Sequence, residues 1–179
     1  AEFTQRVGSA PLGVWSAPGR VNLIGEHTDY NAGLCLPIAL PQRTYAAAGP
    51  REDGRLRVTS LRPEGAFTAE VDVDVISPED PGGWGAYVAG VVWALRAAGY
   101  AVGGIDIVLT SAVPVGAGLS SSAALTCSVA AAVSGTYGLG LLDSEAGRRE
   151  LVAAAIRAEN EIAGAPTGGM DQTAALLSR

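Results

Sequence analysis

Short apolar runs broken by glycine, proline and charged residues fill the first part of the chain, and apolar residues at helical spacing take over from Trp84 onward. Residues 14–16 read as a strand leading into a break at Pro18-Gly19, and residues 21–24 as a short apolar run. Residues 25–33 are polar, and residues 34–40 return as an extended apolar segment, so residues 26–31 form a loop framed by strands. Residues 43–48, 56–60 and 67–73 are further strands, separated by the turn-rich stretches 49–54 and 62–65. Tyr87, Val88, Val91, Val92 and Leu95 follow i, i+3, i+4 spacing and predict a helix over residues 84–98; residues 105–110 are a strand. A glycine-bearing turn at residues 114–119 leads into an Ala-rich helix that runs from Ser120 to about Thr136. Asp143 is read as the N-cap of a second long helix ending near Gly164, and a third helix starts at Gly168 and runs to Arg179. Strands first and helices grouped late predict an α+β fold, not an alternating parallel sheet. No repeat or linker divides the 179 residues, which are enough for one well-buried core.

Composition narrows the chemistry. With 48% hydrophobic and 17% charged residues the chain is globular and not a disordered tail. Its 12 basic and 18 acidic residues give a net charge of -6, and every basic residue is Arg. The absence of Lys excludes, within this chain, a lysine Schiff base, a Walker-type phosphate loop and the strand lysine of protein kinases. An anionic ligand is left to Arg, backbone N–H groups or a metal. A pI near 4.7 without a basic block argues against nucleic-acid partners. His27 is the single histidine, which excludes His-rich zinc sites, and Cys35 and Cys127 sit in apolar stretches as packed thiols. The first residues lack the apolar core of a signal peptide, and the apolar run 123–133 falls short of the ~20 residues a bilayer needs. A soluble cytoplasmic protein without a membrane partner is expected. The oligomeric state is not readable, with a monomer favoured. The missing initiator Met hints at a processed, trimmed or partly defined chain.

Four stretches carry candidate chemistry. In the loop of residues 114–123, Gly116 and Gly118 let the backbone curl round phosphate oxygens, and the following helix offers unpaired N–H groups. The plainer alternative is a strand-to-helix turn with serines as caps. Neither a Rossmann fingerprint nor a serine elbow fits, because Ser121 and Ser122 stand where glycines are required. On the second long helix, Val152, Ala155, Ile156, Glu159 and Ala163 fall on one stripe. Glu159 is there either a buried Mg²⁺ ligand partnered by a loop serine or a stripe-edge residue that reaches water. Arg20, Asn22, Glu26, His27 and Asp29 form a polar cluster suited to sugar hydroxyls, or simply a solvated hairpin. Asp171 opens the last helix, where N-capping is the plain alternative.

Taken together these segments resemble one family. Gly19-Arg20-Val21-Asn22-Leu23-Ile24-Gly25-Glu26-His27-Thr28-Asp29-Tyr30-Asn31, with residues 36–40, is similar to the signature of galactokinases. Residues 114–123 resemble the ATP-binding serine loop of the wider GHMP kinases, and residues 158–164 with Gly168, Met170, Asp171 and Gln172 resemble the galactokinase catalytic region. Gly169 departs from that pattern, where a larger residue is expected before the Met. The resemblance implies the GHMP N-terminal fold, of the ribosomal protein S5 domain 2 type: a mixed sheet with helices on one side, spanning residues 1–179, with the C-terminal GHMP domain absent. It implies transfer of the ATP γ-phosphoryl group to the anomeric hydroxyl of galactose, the first step of galactose catabolism, with ATP and Mg²⁺ required. Asp171 and Arg20 would be catalytic. Glu26, His27, Asp29 and Gly168 would bind the sugar, and Gly116, Gly118, Leu119, Ser120, Ser121, Ser122 and Trp84 the nucleotide. Ser122 and Glu159 would ligate the metal. The alternatives are an ATP- and galactose-binding sensor that transfers nothing, and an N-acetylgalactosamine kinase. By itself the chain is expected to be catalytically poor, because the cleft of such enzymes lies between two domains.

Overall fold

A computed structural model describes residues 1–31 and 33–178. Strands β1 (Gly13–Asn22), β2 (Pro37–Arg51), β3 (Arg55–Arg62), β4 (Gly65–Asp72) and β5 (Gly104–Ser111) form one sheet in the order β1-β2-β5-β3-β4. Only β3 and β5 pair in parallel; the other neighbours are antiparallel, so the sheet is mixed. Helices α2 (Trp84–Ala97), α3 (Ser121–Thr136) and α5 (Met170–Leu177) lie on one sheet face, and α4 (Glu145–Arg157) packs on those helices. Alternation puts Ala46, Ala48, Leu56, Val58, Ile105, Ile107 and Leu109 on that face, all buried against the helices. Trp15 lies flat on α3, where a Cβ at Gly135 would come within 2.1 Å of its ring.

Two predicted interruptions are not interruptions. β1 runs through Pro18-Gly19, and the break is taken up by a register shift between Pro18 and Arg20. Gly19 allows this because it lies against the serine loop, 2.7 Å from the Leu119 carbonyl oxygen to where a Cβ would stand. β2 continues through the expected turn at Gly49-Pro50 as far as Arg51. β1 begins opposite Ala48, so Pro50 lies where β2 has no β1 partner, the position at which a strand tolerates proline. A short helix that periodicity did not signal, α1 (Glu2–Val7), buries a single side chain, Phe3, against Gly49 on the sheet's other face.

The cap of α4 is Ser144, not Asp143: its Oγ accepts the Gly147 N–H at 3.0 Å. Asp143 stands one residue too early for the extended N-cap conformation to present its carboxylate. Ser144→Ala is therefore expected to cost about 1 kcal/mol in denaturant unfolding and Asp143→Ala less than about 0.5 kcal/mol; equal losses would contradict the assignment. α4 also ends sooner than the spacing implies. Residues Ala158–Ile162 form a π-helical turn, where Ala158 presses on Gly90 of α2 so closely that a Cβ there would lie 2.9 Å from it. In the last helix, Ser178 is already extended, and Arg179 lies outside the described residues. Among the described residues no helix is long and apolar enough to cross a membrane.

Candidate active site

The register shift in β1 turns Arg20 toward the start of α5, and its guanidinium Nε donates to Asp171 Oδ1 at 2.6 Å. Both side chains are mostly buried, so the pair is not a solvent-screened surface bridge. The other carboxylate oxygen, Oδ2, accepts the Ser120 hydroxyl at 2.5 Å. Arg20 also grips the glycine loop, donating from Nη1 to the Gly118 carbonyl at 2.9 Å and from its backbone N–H to the Leu119 carbonyl at 3.1 Å. Asp171 is not a helix cap. The N-cap of α5 is Gly169 at φ 100°, and there a Cβ would lie 2.7 Å from Ile156 Cδ1, which explains the departure from a larger residue.

Gly116 and Gly118 take positive φ values of 74° and 70° and have open space around them, as a loop that wraps a ligand requires. No side chain caps the first turn of α3, so its N–H groups remain available to an anion. Serine capping, the plainer alternative for this loop, does not occur. Ser121 and Ser122 open onto a cleft of about 590 Å³ that Trp84 and Tyr87 of α2 line from the far side. That volume is in the range of small-molecule sites.

Glu159 is buried, at 3% exposure. Its Oε1 accepts from Thr126 Oγ1 at 3.0 Å and from Gln172 Nε2 at 2.9 Å, and the Ser122 hydroxyl also reaches the carboxylate. Burial pushes its pKa up, these three donors pull it back down, and the Asp171 charge adds to the rise. A hard carboxylate oxygen and a hydroxyl at the mouth of a phosphate loop suit Mg²⁺ and leave most of its shell to other oxygens. Among the described residues no group of three or more His, Cys, Asp or Glu forms a metal cluster.

In the 26–31 loop, Asp29 Oδ2 accepts the Met170 N–H at 3.3 Å and crowds Gly168, where a Cβ would stand 2.4 Å from the carboxylate. Asp29 is thus the loop acid that reaches the Asp171 helix. Glu26 and His27 are exposed; His27, at φ 60°, turns Nδ1 onto the Tyr30 hydroxyl. Three contributors were missed by sequence reasoning. Tyr30 carries no chemical signal of its own within residues 19–31, Gln172 follows Asp171 directly, and Thr126 is a hydroxyl in an Ala-rich helix, a signal readable only once Glu159 is known to be buried.

A mixed sheet backed by helices, a glycine-serine loop feeding a helix N-terminus, and a buried carboxylate beside it define the class: an α+β domain with a candidate anion site. The GHMP kinase N-terminal domain family matches residues 86–179, and the chain belongs to that family. The galactokinase galactose-binding signature matches residues 1–50. A galactokinase of Streptomyces coelicolor is 49% identical over 172 residues, covering 96% of this chain and 43% of that protein. A galactokinase of Roseiflexus is 43% identical over 179 residues, again covering 43% of the relative. The crystal structure of Lactococcus lactis galactokinase complexed with galactose superposes with a TM-score of 0.79 at 33% identity, over 97% of this chain and 44% of that one. The chain spans less than half the length of the relatives it matches.

Proposed function

We propose that this chain supplies the nucleotide- and sugar-binding N-terminal GHMP domain of a galactokinase, which moves the γ-phosphoryl group of ATP to the anomeric hydroxyl of galactose and yields galactose 1-phosphate and ADP. The observation that carries the reading is the Arg20–Asp171 pair locked onto the glycine-serine loop, with Asp29 of the galactose-binding signature touching the same helix. Asp171 would accept the proton of the attacking hydroxyl. Arg20 would orient that carboxylate and offset charge on the moving phosphoryl group. Asp29, Glu26, His27 and the backbone at Gly168 would orient the sugar. The phosphates would lie on the N–H groups of residues 116–122, with adenine toward Trp84. Ser122 and Glu159 would hold Mg²⁺, which neutralises phosphate charge that an acidic protein with a net charge of -6 would otherwise repel. An intact pair of this kind favours the kinase over a sensor, which has no use for a proton acceptor.

The test is ADP release by the protein carrying this sequence, with galactose, mevalonate and homoserine offered in turn. Galactose-dependent release is expected; release with mevalonate or homoserine but not with galactose would overturn the reading.

A further inference from the structure

Ser120 belongs to the serine run of the phosphate loop, yet its side chain does not face the cleft. Its Oγ donates to Asp171 Oδ2 at 2.5 Å, opposite the Arg20 Nε that holds Oδ1 at 2.6 Å. The backbone at Ser120 lies at φ 56° and ψ 50°, the left-handed region, which only His27 shares among the described non-glycine residues. Such a conformation costs of order 1 kcal/mol for a residue with a Cβ, and glycine would relieve it. The hydroxyl reaches Asp171 only because the loop turns there in that way. The neighbouring carbonyls of Gly118 and Leu119 are held by Arg20, so loop, arginine and carboxylate form one hydrogen-bonded unit.

The geometry points to Ser120 as a positioning residue: its hydroxyl fixes the rotamer of Asp171 and ties the carboxylate to the phosphate loop, while its backbone N–H alone is left for the nucleotide. Arg20 holds one carboxylate oxygen, and without a second donor the group is free to swing about its χ angles. The hydroxyl removes that freedom and adds a charge-assisted bond. A phosphate held on the loop and the proton acceptor then keep one fixed register. The inference rests on the reading of Asp171 as the group that meets the reacting hydroxyl.

Ser120→Gly and Ser120→Ala separate the possibilities. The glycine variant keeps the loop backbone and relieves its φ, and the alanine variant keeps the Cβ. Loss of a hydrogen bond to a charged group predicts a kcat lower by roughly 10-fold in both, with the KM for ATP within about 2-fold. Independently of turnover, hydrogen exchange at the Arg20 Nε–H in the 179-residue chain, read by nitrogen-edited NMR, should quicken by roughly 3-fold or more as the carboxylate loosens. A wild-type kcat in Ser120→Gly overturns the inference, and so does a loss confined to the KM for ATP, which makes the hydroxyl a phosphate ligand. If the unsubstituted protein does not phosphorylate galactose, the functional reading falls. The exchange rates still decide this one, and unchanged exchange refutes it.

Discussion

Asp171→Asn is expected to lower turnover by ~10³-fold, the scale on which a positioned proton acceptor contributes, while sugar and nucleotide binding survive. The contacts explain the split. An Asn at this position keeps its carbonyl oxygen on the Arg20 Nε and can turn its amide onto the Ser120 oxygen, which then accepts instead of donating. The local frame stays closed, and what disappears is the charge that balances Arg20 and, under the proposed function, the proton acceptor. Steady-state kinetics together with calorimetric titration of galactose and ATP check this. An Asn variant within about 10-fold of the parent would remove Asp171 from its role, since phosphoryl transfer would then draw on positioning and electrostatics alone.

Glu159→Gln is expected to make the metal-free chain more stable and to weaken its response to magnesium nucleotide. Burial raises the Glu159 pKa in the folded state above its unfolded value. Its contribution to stability is therefore complete at pH below the unfolded pKa and is lost as pH climbs through the raised folded one. At neutral pH the ionised carboxylate is a cost of the fold, which Thr126 and Gln172 only partly offset. Gln carries no charge and its carbonyl oxygen accepts both of those donors. In EDTA at neutral pH the variant should unfold about 2–4 °C higher, corresponding to about 1 kcal/mol, and the gap should close toward acid. The added stability that ATP with Mg²⁺ gives the parent should largely vanish in the variant. Full retention of that increment would show that Glu159 is not a metal ligand, and a lower melting point in EDTA would show that its charge is not a burden.

The same trade runs through Cys127, beside Glu159, whose thiol is pushed well above its ordinary pKa by burial and then by the neighbouring carboxylate. A thiol so placed stays protonated and packs as a small apolar group. The free-cysteine reading from the apolar surroundings therefore stands for Cys127, while Cys35 is only partly buried.

Much of the fold was legible along the chain because its signals are local. The helix spacing from Tyr87 to Leu95, the alternation in β3 and β5, and the glycine loop before α3 each involve neighbours within a few turns or residues, and each element lies within a residue or two of its expected bounds. The errors fell where a distant partner overruled a local rule. Pro18-Gly19 and Gly49-Pro50 carry turn chemistry, but β2 and β5 supply enough pairing to keep the strands running. Phe3 alone gives α1 no periodicity, and it packs on Gly49, far along the chain, where a Cβ would lie 3.3 Å from its ring.

For the site, the residues by themselves determined the chemistry. Under the proposed function, a chain without Lys would handle phosphate with backbone N–H groups, arginine and metal, and the glycine-serine loop, Arg20, Glu159 and Asp171 are where such groups occur. The tertiary structure decided which of them meet. Arg20 and Asp171 are 151 residues apart, and Ser120 lies 51 from Asp171. No spacing rule reaches that far, because those contacts are fixed by how β1 and α5 pack against α3. That packing puts the Ser120 hydroxyl on the Asp171 carboxylate, puts Thr126 and Gln172 on Glu159, and makes Asp29 the acid of its loop that touches α5.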